Sequence, residues 1–247
     1  MITSGNTILI TGGTAGIGQA FAEQFFAEGN TVIICGRRSD RLTQLREKLP
    51  GLITRQCDIA DDSQREYLYQ WVVSNYPSLN VLVNNAGMQL ATDLTHPVDL
   101  ASVRLEMETN FVAPLHLASL FASHLSTVVN PAIINITSGL AFVPLAFMPV
   151  YCASKAALHS LSLSMRYQLR DTPVKVYEIA PPSTDTELGH QRRADKSQTH
   201  GGIPVSEFLA EAMKGLKNDV LEIAVGNSNG MRAKREELFA RINGHAQ

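Results

Sequence analysis

Short apolar runs alternate with longer amphipathic segments along most of the chain. The runs are rich in Val, Ile and Leu and lack strict in–out alternation, which is typical of strands covered on both faces of a parallel sheet. We therefore predict strands at the following positions: Thr7–Thr11, Thr31–Cys35, Leu52–Gln56, Val81–Asn84, Ala132–Ile136, Val174–Ile179 and Val220–Ile223.

The segments between these strands have helical periodicity. In the first of them, Ile17, Phe21 and Phe25 recur every fourth residue and share one face of a helix. The predicted helices are Ile17–Glu28, Arg41–Lys48, Asp62–Asn75, Leu100–Ser126, Tyr151–Arg170 and Val205–Leu216. Pro114 lies inside the fourth helix and is expected to bend it. This alternation of strands and helices predicts a single α/β domain with a doubly wound parallel sheet.

The composition excludes some classes of function. The 247 residues are 45% apolar and 18% charged, and the formal net charge is -2. Nucleic-acid binding needs a basic excess that this chain lacks, so nucleic acid is not an expected partner. Cys35, Cys57 and Cys152 form no CxxC pair and no disulfide framework, which favours a reducing, cytoplasmic setting.

Membrane and metal partners are not expected either. The N-terminus lacks the basic and apolar regions of a signal peptide. The longest apolar stretch, Leu140–Ala153, is too short to span a bilayer and contains Pro144 and Pro149. The histidines show no spacing typical of metal ligands, so we predict neither a membrane anchor nor a metal site.

A glycine-rich turn joins the first predicted strand to the first helix. Thr11–Gly18 reads TGGTAGIG, and its glycines permit a tight turn that lets the backbone approach a pyrophosphate. The helix N-terminus adds unpaired N–H groups and a positive dipole end. The alternative is a plain turn without a ligand. The position of the motif between a strand and a helix favours dinucleotide binding, so we predict cofactor contacts at Gly12, Thr14, Gly16, Ile17 and Gly18.

The end of the second strand bears on the choice of cofactor. Folds that bind NAD usually place an acidic residue there to bind the ribose 2′-OH. Here the position is Gly36, followed by Arg37 and Arg38, and a guanidinium can bind a phosphate bidentately. We predict NADP as the preferred cofactor and NAD as the less favoured one. The alternative is that both arginines only solvate the next helix.

Two further segments that follow strands are candidate cofactor contacts. Asp58 either binds the adenine amino group or caps the helix that begins near Asp62, whereas Asp61 is predicted to be a helix cap. The run Asn84-Asn85-Ala86-Gly87 has small residues that leave room for a cofactor and Asn side chains that can link adjacent strands. The predicted contacts from these segments are Asp58, Asn84, Ala86 and Gly87.

A tyrosine, a lysine and a serine form the candidate catalytic group. Tyr151 and Lys155 lie four residues apart at the start of a predicted helix, so they share a face. Ser138 closes the fifth strand at the carboxyl edge of the sheet, where open α/β folds bind ligands. A lysine ammonium lowers the pKa of a nearby phenol, and a serine hydroxyl can donate to a developing oxyanion. We predict Tyr151 as the general acid in reduction and the base in oxidation.

Together these motifs resemble the short-chain dehydrogenase/reductase family over essentially the full chain. The matching elements, in the expected order, are Thr11–Gly18, Asp58, Asn84–Gly87, Asn110, Ser138 and Tyr151-x-x-x-Lys155. The resemblance implies a Rossmann fold with a seven-stranded parallel sheet and a catalytic site of Asn110, Ser138, Tyr151 and Lys155. In that site Lys155 and Tyr151 also contact the cofactor, Lys155 binds the nicotinamide ribose, and Asn110 positions a water.

The resemblance implies two further properties. Arg37 stands at the position that selects NADP. The helices Leu100–Ser126 and Tyr151–Arg170 pair across a two-fold axis, so a homodimer or homotetramer is expected. Segments such as Glu178–Pro182 are similar to a bacterial branch named for an association with D-alanine esterification of teichoic acids. That name fixes no substrate.

The chain departs from the family after the sixth strand. Pro181-Pro182 replaces the usual Pro-Gly, and because Pro182 lacks an N–H and fixes φ, the path of the next loop is not predicted. Residues 182–204 are long and irregular, so we expect a substrate loop. Predicted cofactor contacts in this region are Pro181, Thr184 and Thr186.

Two hypotheses of function follow. The first is an NADP-preferring oxidoreductase that acts on a small-molecule carbonyl or alcohol. The alternative is a sensor or scaffold protein that binds NADP without turnover. Such a protein has no need of Asn110, Ser138, Tyr151 and Lys155 together, so their presence favours the enzyme. The apolar stretch between Ser138 and Tyr151 is expected to form a wall of the substrate site.

Overall fold

The computed structural model describes residues 1–188 and 202–244. Within this range all strand pairs are parallel, in the order β3-β2-β1-β4-β5-β6-β7. This confirms the predicted doubly wound sheet, and each strand ends within two residues of its predicted bounds. The strands are β1 (Thr7–Thr11), β2 (Thr31–Gly36), β3 (Ile53–Gln56), β4 (Leu79–Asn84), β5 (Ala132–Ile136), β6 (Lys175–Ala180) and β7 (Glu222–Ala224).

Helices cover both faces of the sheet. They are α1 (Gly16–Ala27), α2 (Ser39–Lys48), α3 (Asp62–Asn75), α4 (Leu100–Met107), α5 (Ala113–Leu125), α6 (Pro149–Gln168), α7 (Val205–Lys217), α8 (Ser228–Lys234) and α9 (Phe239–Ile242). The short helices α8 and α9, which follow the last strand, are additions to the sequence prediction. The middle of the predicted substrate loop, residues 189–201, lies outside the described residues.

Successive residues of β1 show why the strands read as continuous apolar runs. Ile8 and Ile10 pack on one face with Phe21 and other residues of α1 and α7. Leu9 packs on the opposite face with residues of α3 and α5 such as Phe121. All these side chains are fully buried, and each burial contributes about 1.5–3 kcal/mol. Both faces are therefore core faces, as a parallel sheet requires.

The predicted helix Leu100–Ser126 is helical from Leu100 to Leu125, but it contains a π-helical turn just before Pro114. A π-helical turn, Glu108–Val112, separates α4 from α5, and the Ala113 N–H bonds to the carbonyl of Glu108. Pro114 then lies in the first turn of α5, directly after the π-helical turn. The widened turn carries Asn110 in a fully buried position, and such turns are frequent at functional sites.

The order of the strands predicts a ligand-binding crevice at their carboxyl ends. The sheet order reverses between β1 and β4, and open α/β sheets bind ligands at this switch point. The glycine-rich turn, Arg37, Gly87 and Ser138 all follow strands at this edge. Among the described residues, no helix has the length and apolar character needed to cross a lipid bilayer.

Candidate active site

The glycine-rich turn after β1 depends on glycines for its backbone shape and its close packing. Gly12 has a φ of +66°, and a Cβ added there would lie 2.7 Å from the Cα of Ala86. Gly16 has a φ of +53° and lies against Thr186. Ala15, which precedes α1, makes no side-chain capping bond to the helix, so the first turn can offer N–H groups to an anion. The turn thus fits the pyrophosphate of a dinucleotide.

Asn85 and Thr11 brace this turn against β4. Thr11 Oγ1 accepts hydrogen bonds from the backbone N–H groups of Asn85 and Ala86 at 3.0 and 3.1 Å. Asn85 Nδ2 donates to the carbonyls of Thr11 and Gly12 at 2.9 and 3.2 Å. The sequence prediction included Asn85 only as a possible link between strands. The sequence signal for this bracing role was the position of Asn85 within the Asn-Asn-Ala-Gly run.

The end of β2 brings arginines to the same turn. Arg38 Nη2 donates to Thr14 Oγ1 at 3.3 Å, and Arg37 is exposed beside it. Gly36 lies close to Thr14, since an added Cβ would be 3.1 Å from Thr14 Cγ2. Arg38 and Arg41 both form ion pairs with Glu187, at 3.0 and 3.3 Å, a contact that the sequence did not indicate.

Asp58, Asp61 and Asn84 lie at or after strand ends near this edge and make different contacts. Asp61 accepts a hydrogen bond from the Gln64 N–H at 3.1 Å and caps α3, which confirms its predicted role. Asp58 does not cap this helix but accepts from the Ala60 N–H at 3.0 Å, so its adenine contact stays a prediction. Asn84 is buried inside the sheet, where its Nδ2 donates to Asn135 Oδ1 at 2.9 Å. It links β4 to β5.

Lys155 lies at the centre of the candidate catalytic group. Its Nζ donates to the carbonyl of Ile136 at 2.9 Å and lies 5.8 Å from the centroid of the Tyr151 ring. A Cβ added at Gly87 would be 3.5 Å from this Nζ and 3.3 Å from Asn110 Oδ1. Burial lowers the pKa of Lys155 to about 8. The ammonium is therefore still mostly protonated near neutral pH.

Asn110 connects the π-helical turn to the other catalytic candidates. Its Oδ1 accepts from the Met88 N–H and its Nδ2 donates to the Met88 carbonyl, both at 2.9 Å. The same Nδ2 donates to Ser154 Oγ at 3.0 Å, and Ser154 donates to the Tyr151 carbonyl at 2.7 Å. These bonds fix the start of α6 relative to the segment after β4.

Ser138 is held at the carboxyl edge by the residues on either side of it. The Thr137 N–H donates to the Ile179 carbonyl and the Gly139 N–H donates to the Pro181 carbonyl, both at 2.8 Å. The Ser138 Oγ accepts from the Leu140 N–H at 3.1 Å. Ser138 is 8% exposed, so little of it is open to solvent.

Apolar side chains pack around Tyr151. Tyr151 belongs to a small buried cluster with Met148 and Cys152, and Leu140 and Leu145 pack against it. Tyr151 itself is 5% exposed. Leu140, Leu145 and Met148 come from the apolar stretch between Ser138 and Tyr151.

After the Pro-Pro pair, hydrogen bonds hold the start of the following loop. Thr184 is buried and its Oγ1 donates to the Pro182 carbonyl at 3.1 Å. The Asp185 N–H donates to the Ile203 carbonyl at 2.9 Å, and the Ile203 N–H donates to the Ser183 carbonyl at 3.0 Å. The two described ends of the predicted substrate loop are therefore tied together.

His159 takes part in a charge cluster beneath the site. His159, Glu178 and Glu222 bring ligand atoms within 4.8 Å of one another, which the spacing of the histidines in the sequence did not reveal. Glu178 lies 3.9 Å from Arg166, and Glu222 pairs with Arg232. Guanidinium groups therefore already balance these carboxylates, and we interpret the cluster as an ion-pair network.

Comparisons with known proteins agree with this geometry. The short chain dehydrogenase family matches residues 6–197. The "Uncharacterized oxidoreductase DltE" of Bacillus subtilis (strain 168) is 48% identical, with 98% of both chains covered. The "NADP-dependent 3-hydroxy acid dehydrogenase YdfG" of Escherichia coli (strain K12) is 30% identical over 97% of this chain and 99% of its own.

A solved structure is similar at the level of the whole fold. It is a short chain dehydrogenase from Burkholderia cenocepacia J2315 in complex with NADP, with a TM-score of 0.81 and 25% sequence identity. The alignment covers 95% of this chain and 94% of that one. The similarity disfavours the alternative of a sensor or scaffold without turnover. With its parallel sheet, its glycine-rich turn and these relatives, the chain belongs to the short-chain dehydrogenase/reductase family of oxidoreductases.

Proposed function

We propose that this protein is an NADP-preferring oxidoreductase that transfers a hydride between the nicotinamide and a carbonyl or alcohol, with Tyr151 as general acid and base. The observation that carries the proposal is that the Lys155 ammonium lies near the Tyr151 ring, and near Asn110 across Gly87, while it binds the Ile136 carbonyl two residues before Ser138. When bound, the nicotinamide cofactor supplies or accepts the hydride. Proton transfer and charge stabilisation fall to the side chains of this protein.

The Tyr151 hydroxyl has the proton-transfer role in this proposal. In reduction it gives its proton to the substrate oxygen, and in oxidation its phenolate accepts the proton of the alcohol. The nearby Lys155 ammonium favours the phenolate by its charge. The Ser138 hydroxyl donates to the same substrate oxygen, where negative charge develops. The apolar wall excludes water and strengthens these interactions.

The residues proposed to hold the cofactor lie along the crevice. The glycine-rich turn and the first N–H groups of α1 fit the pyrophosphate, and the arginines after β2 fit a 2′-phosphate. Asp58 is proposed for the adenine and Lys155 for the nicotinamide ribose. The remaining proposed contacts are Gly12, Thr14, Gly16, Ile17, Gly18, Asn84, Ala86, Gly87, Tyr151, Pro181, Thr184 and Thr186.

The catalytic proposal is tested by substitution of Tyr151. Turnover is followed by the loss of NADPH absorbance with a panel of short aldehydes, ketones and oxo acids. Tyr151→Phe is expected to lower kcat by roughly 10²- to 10⁴-fold while NADPH still binds. Tyr67→Phe is the control, because Tyr67 lies on α3, away from the candidate catalytic group, and is 58% exposed. Unchanged turnover in Tyr151→Phe would contradict the assigned role.

The NADP preference is tested at Arg37. It is supported by the absence of an acidic residue at Gly36 and by the NADP dependence in the name of the Escherichia coli relative. Arg37→Ala is expected to weaken NADPH binding much more than NADH binding, as measured by fluorescence titration. Arg46→Ala removes an exposed arginine elsewhere on α2 and serves as the control. Equal losses for both cofactors would contradict the preference.

We further propose that the protein forms a homodimer or homotetramer through α4, α5 and α6. These helices expose apolar side chains that a partner subunit would cover: Leu105, Leu115, Leu163 and Tyr167. Burial of such side chains favours association. Light scattering at micromolar concentration tests this proposal, and a stable monomer would contradict it.

A further inference from the structure

The carboxylate of Glu187 lies on two arginines beside the second strand. Its Oε2 is 3.0 Å from Arg38 Nη1, and its Oε1 is 3.3 Å from Arg41 Nη2. These arginines precede Glu187 by 149 and 146 residues. The two ion pairs therefore fasten the start of the predicted substrate loop to the cofactor end of the sheet.

Arg38 is shared between this carboxylate and the glycine-rich turn. While Nη1 contacts Glu187, Nη2 donates to Thr14 Oγ1 at 3.3 Å. Thr14 lies against Gly36, which occupies the position where an acidic residue would favour NAD. The end of β2 has no acidic residue of its own. Glu187, which is distant in sequence, places a carboxylate near it.

The backbone before Glu187 holds the carboxylate in this position. The hydrogen bonds between Asp185 and Ile203 and between Ile203 and Ser183 anchor the segment two residues earlier. Thr186 lies against Gly16, since an added Cβ at Gly16 would be 3.2 Å from its Cβ. A carboxylate tethered so close to its partner has a high effective concentration there.

The geometry points to Glu187 as a selectivity-determining residue that competes with the 2′-phosphate of NADP for Arg38. This inference rests on the proposed function, in which the 2′-phosphate binds at Arg37 and Arg38. Carboxylates and phosphates use the same guanidinium donors, so the two anions exclude each other there. Because the side chains of these ion pairs are 41–44% exposed, the pairs are weak and a phosphate displaces the carboxylate. Glu187 therefore narrows the preference for NADPH over NADH without reversing it.

The test is the replacement of Glu187 by an amide of the same shape. NADPH and NADH are titrated separately into the parent and into Glu187→Gln, and the Kd of each is measured by fluorescence. We expect the Kd of NADPH to fall by roughly three- to tenfold and that of NADH to stay unchanged. The gain is expected to shrink at high salt, because exposed charges are screened.

Two controls separate competition from a general effect of charge. Glu47→Gln removes one negative charge from an exposed site on α2 and should change neither Kd. In an Arg38→Ala background, Glu187→Gln should lose most of its effect on NADPH, because the shared guanidinium is absent. Persistence of the full effect in that background would overturn the competition.

The outcomes distinguish this inference from the proposed function. If the parent binds both cofactors and Glu187→Gln leaves NADPH binding unchanged, weakens it, or tightens NADH equally, the role of Glu187 is wrong and the proposed function stands. If the parent binds neither cofactor, the proposed function fails and this inference fails with it. A selective gain for NADPH supports both.

Discussion

The buried carboxylate of Glu178 accepts a hydrogen bond from Thr137 Oγ1 at 2.8 Å. Thr137 immediately precedes Ser138, so this bond acts on the strand end that carries the candidate serine. The same carboxylate lies 2.9 Å from His159 Nδ1, and His159 is on the helix that carries Tyr151. Glu178 therefore connects the two elements whose relative position the proposed chemistry needs.

Removal of the Thr137 hydroxyl is expected to disturb this connection. Thr137→Val keeps the shape of the side chain but leaves the Glu178 carboxylate with one fewer donor, which costs about 1–3 kcal/mol of stability. We expect kcat to fall by roughly ten- to hundredfold, while the Kd of NADPH stays unchanged. Urea unfolding, steady-state kinetics and fluorescence titration measure the three quantities.

Thr137→Ser is the matched control, because it keeps the hydroxyl and should retain the parental kcat. A merely structural role for Thr137 would lower the free energy of unfolding without lowering kcat in the folded enzyme. That result would show that the position of Ser138 does not depend on Glu178.

The contact between His159 and Glu178 should make stability depend on pH. The pKa of His159 is raised, first by its hydrogen bond with Glu178 and then by the charges of Glu178 and Glu222, while burial and Arg235 oppose the shift. A histidine with a raised pKa in the folded state contributes stability that is complete below its unfolded pKa, about 6.5. This contribution is lost as the pH rises through the folded pKa.

Unfolding in urea measures this contribution. We expect His159→Gln to reduce the free energy of unfolding more at about pH 6 than at about pH 9. His96→Gln is the control, since the His96 side chain is 76% exposed. A loss of stability in His159→Gln that is the same at both pH values would show that its charge does not contribute.

Alanine substitutions at Gly12 and Gly5 distinguish the effect of backbone strain from that of a steric clash. Both have a positive φ, +66° and +71°, but only Gly12 has a neighbour that an added Cβ would strike, at 2.7 Å from Ala86 Cα. An alanine at either site therefore carries the strain of the left-handed region, about 1–2 kcal/mol. Gly12→Ala must in addition displace the segment after β4.

We expect Gly12→Ala to unfold at a lower temperature than Gly5→Ala and to weaken NADPH and NADH binding alike. Gly5→Ala should keep both Kd values within about twofold of the parent. Thermal denaturation and fluorescence titration test the pair. Parental affinity in Gly12→Ala would show that the turn does not approach the cofactor closely.

The sheet and much of the site could be predicted because their signals are local. Ile8, Leu9 and Ile10 are all apolar. Consecutive apolar residues are expected in a strand only when both of its faces are covered. The glycine-rich turn and the Tyr151–Lys155 pair have fixed spacings along the chain. Rules for parallel strands then place their carboxyl ends at one edge.

Contacts between distant segments could not be predicted in this way. The pairing of Glu187 with Arg38 depends on the path of a loop after two prolines, and no periodicity encodes that path. The contacts of Glu178 with His159 and Glu222 depend on the register of β6 with β7 and on which face of α6 packs against the sheet. Helices α8 and α9 were missed because the segment is short and largely exposed, so its apolar pattern is weak.

The buried ammonium of Lys155 should reduce stability near neutral pH. Its pKa is lowered to about 8 because burial disfavours the charged form. A lysine with a lowered pKa destabilises the folded state below that pKa, and the penalty is relieved as the pH rises from about 8 to about 10.5. The full penalty is on the order of 3 kcal/mol, partly offset by the hydrogen bond to the Ile136 carbonyl.

Lys155→Met removes the charge at similar volume, and replacement of a buried charge by an apolar group is often neutral or stabilising. We expect this variant to lose turnover but to be at least as resistant to urea as the parent at about pH 7. The advantage should shrink towards about pH 10, where the parental lysine is neutral in the folded state. A variant that is less stable than the parent at about pH 7 but equally stable at about pH 10 would show that the ammonium stabilises the fold.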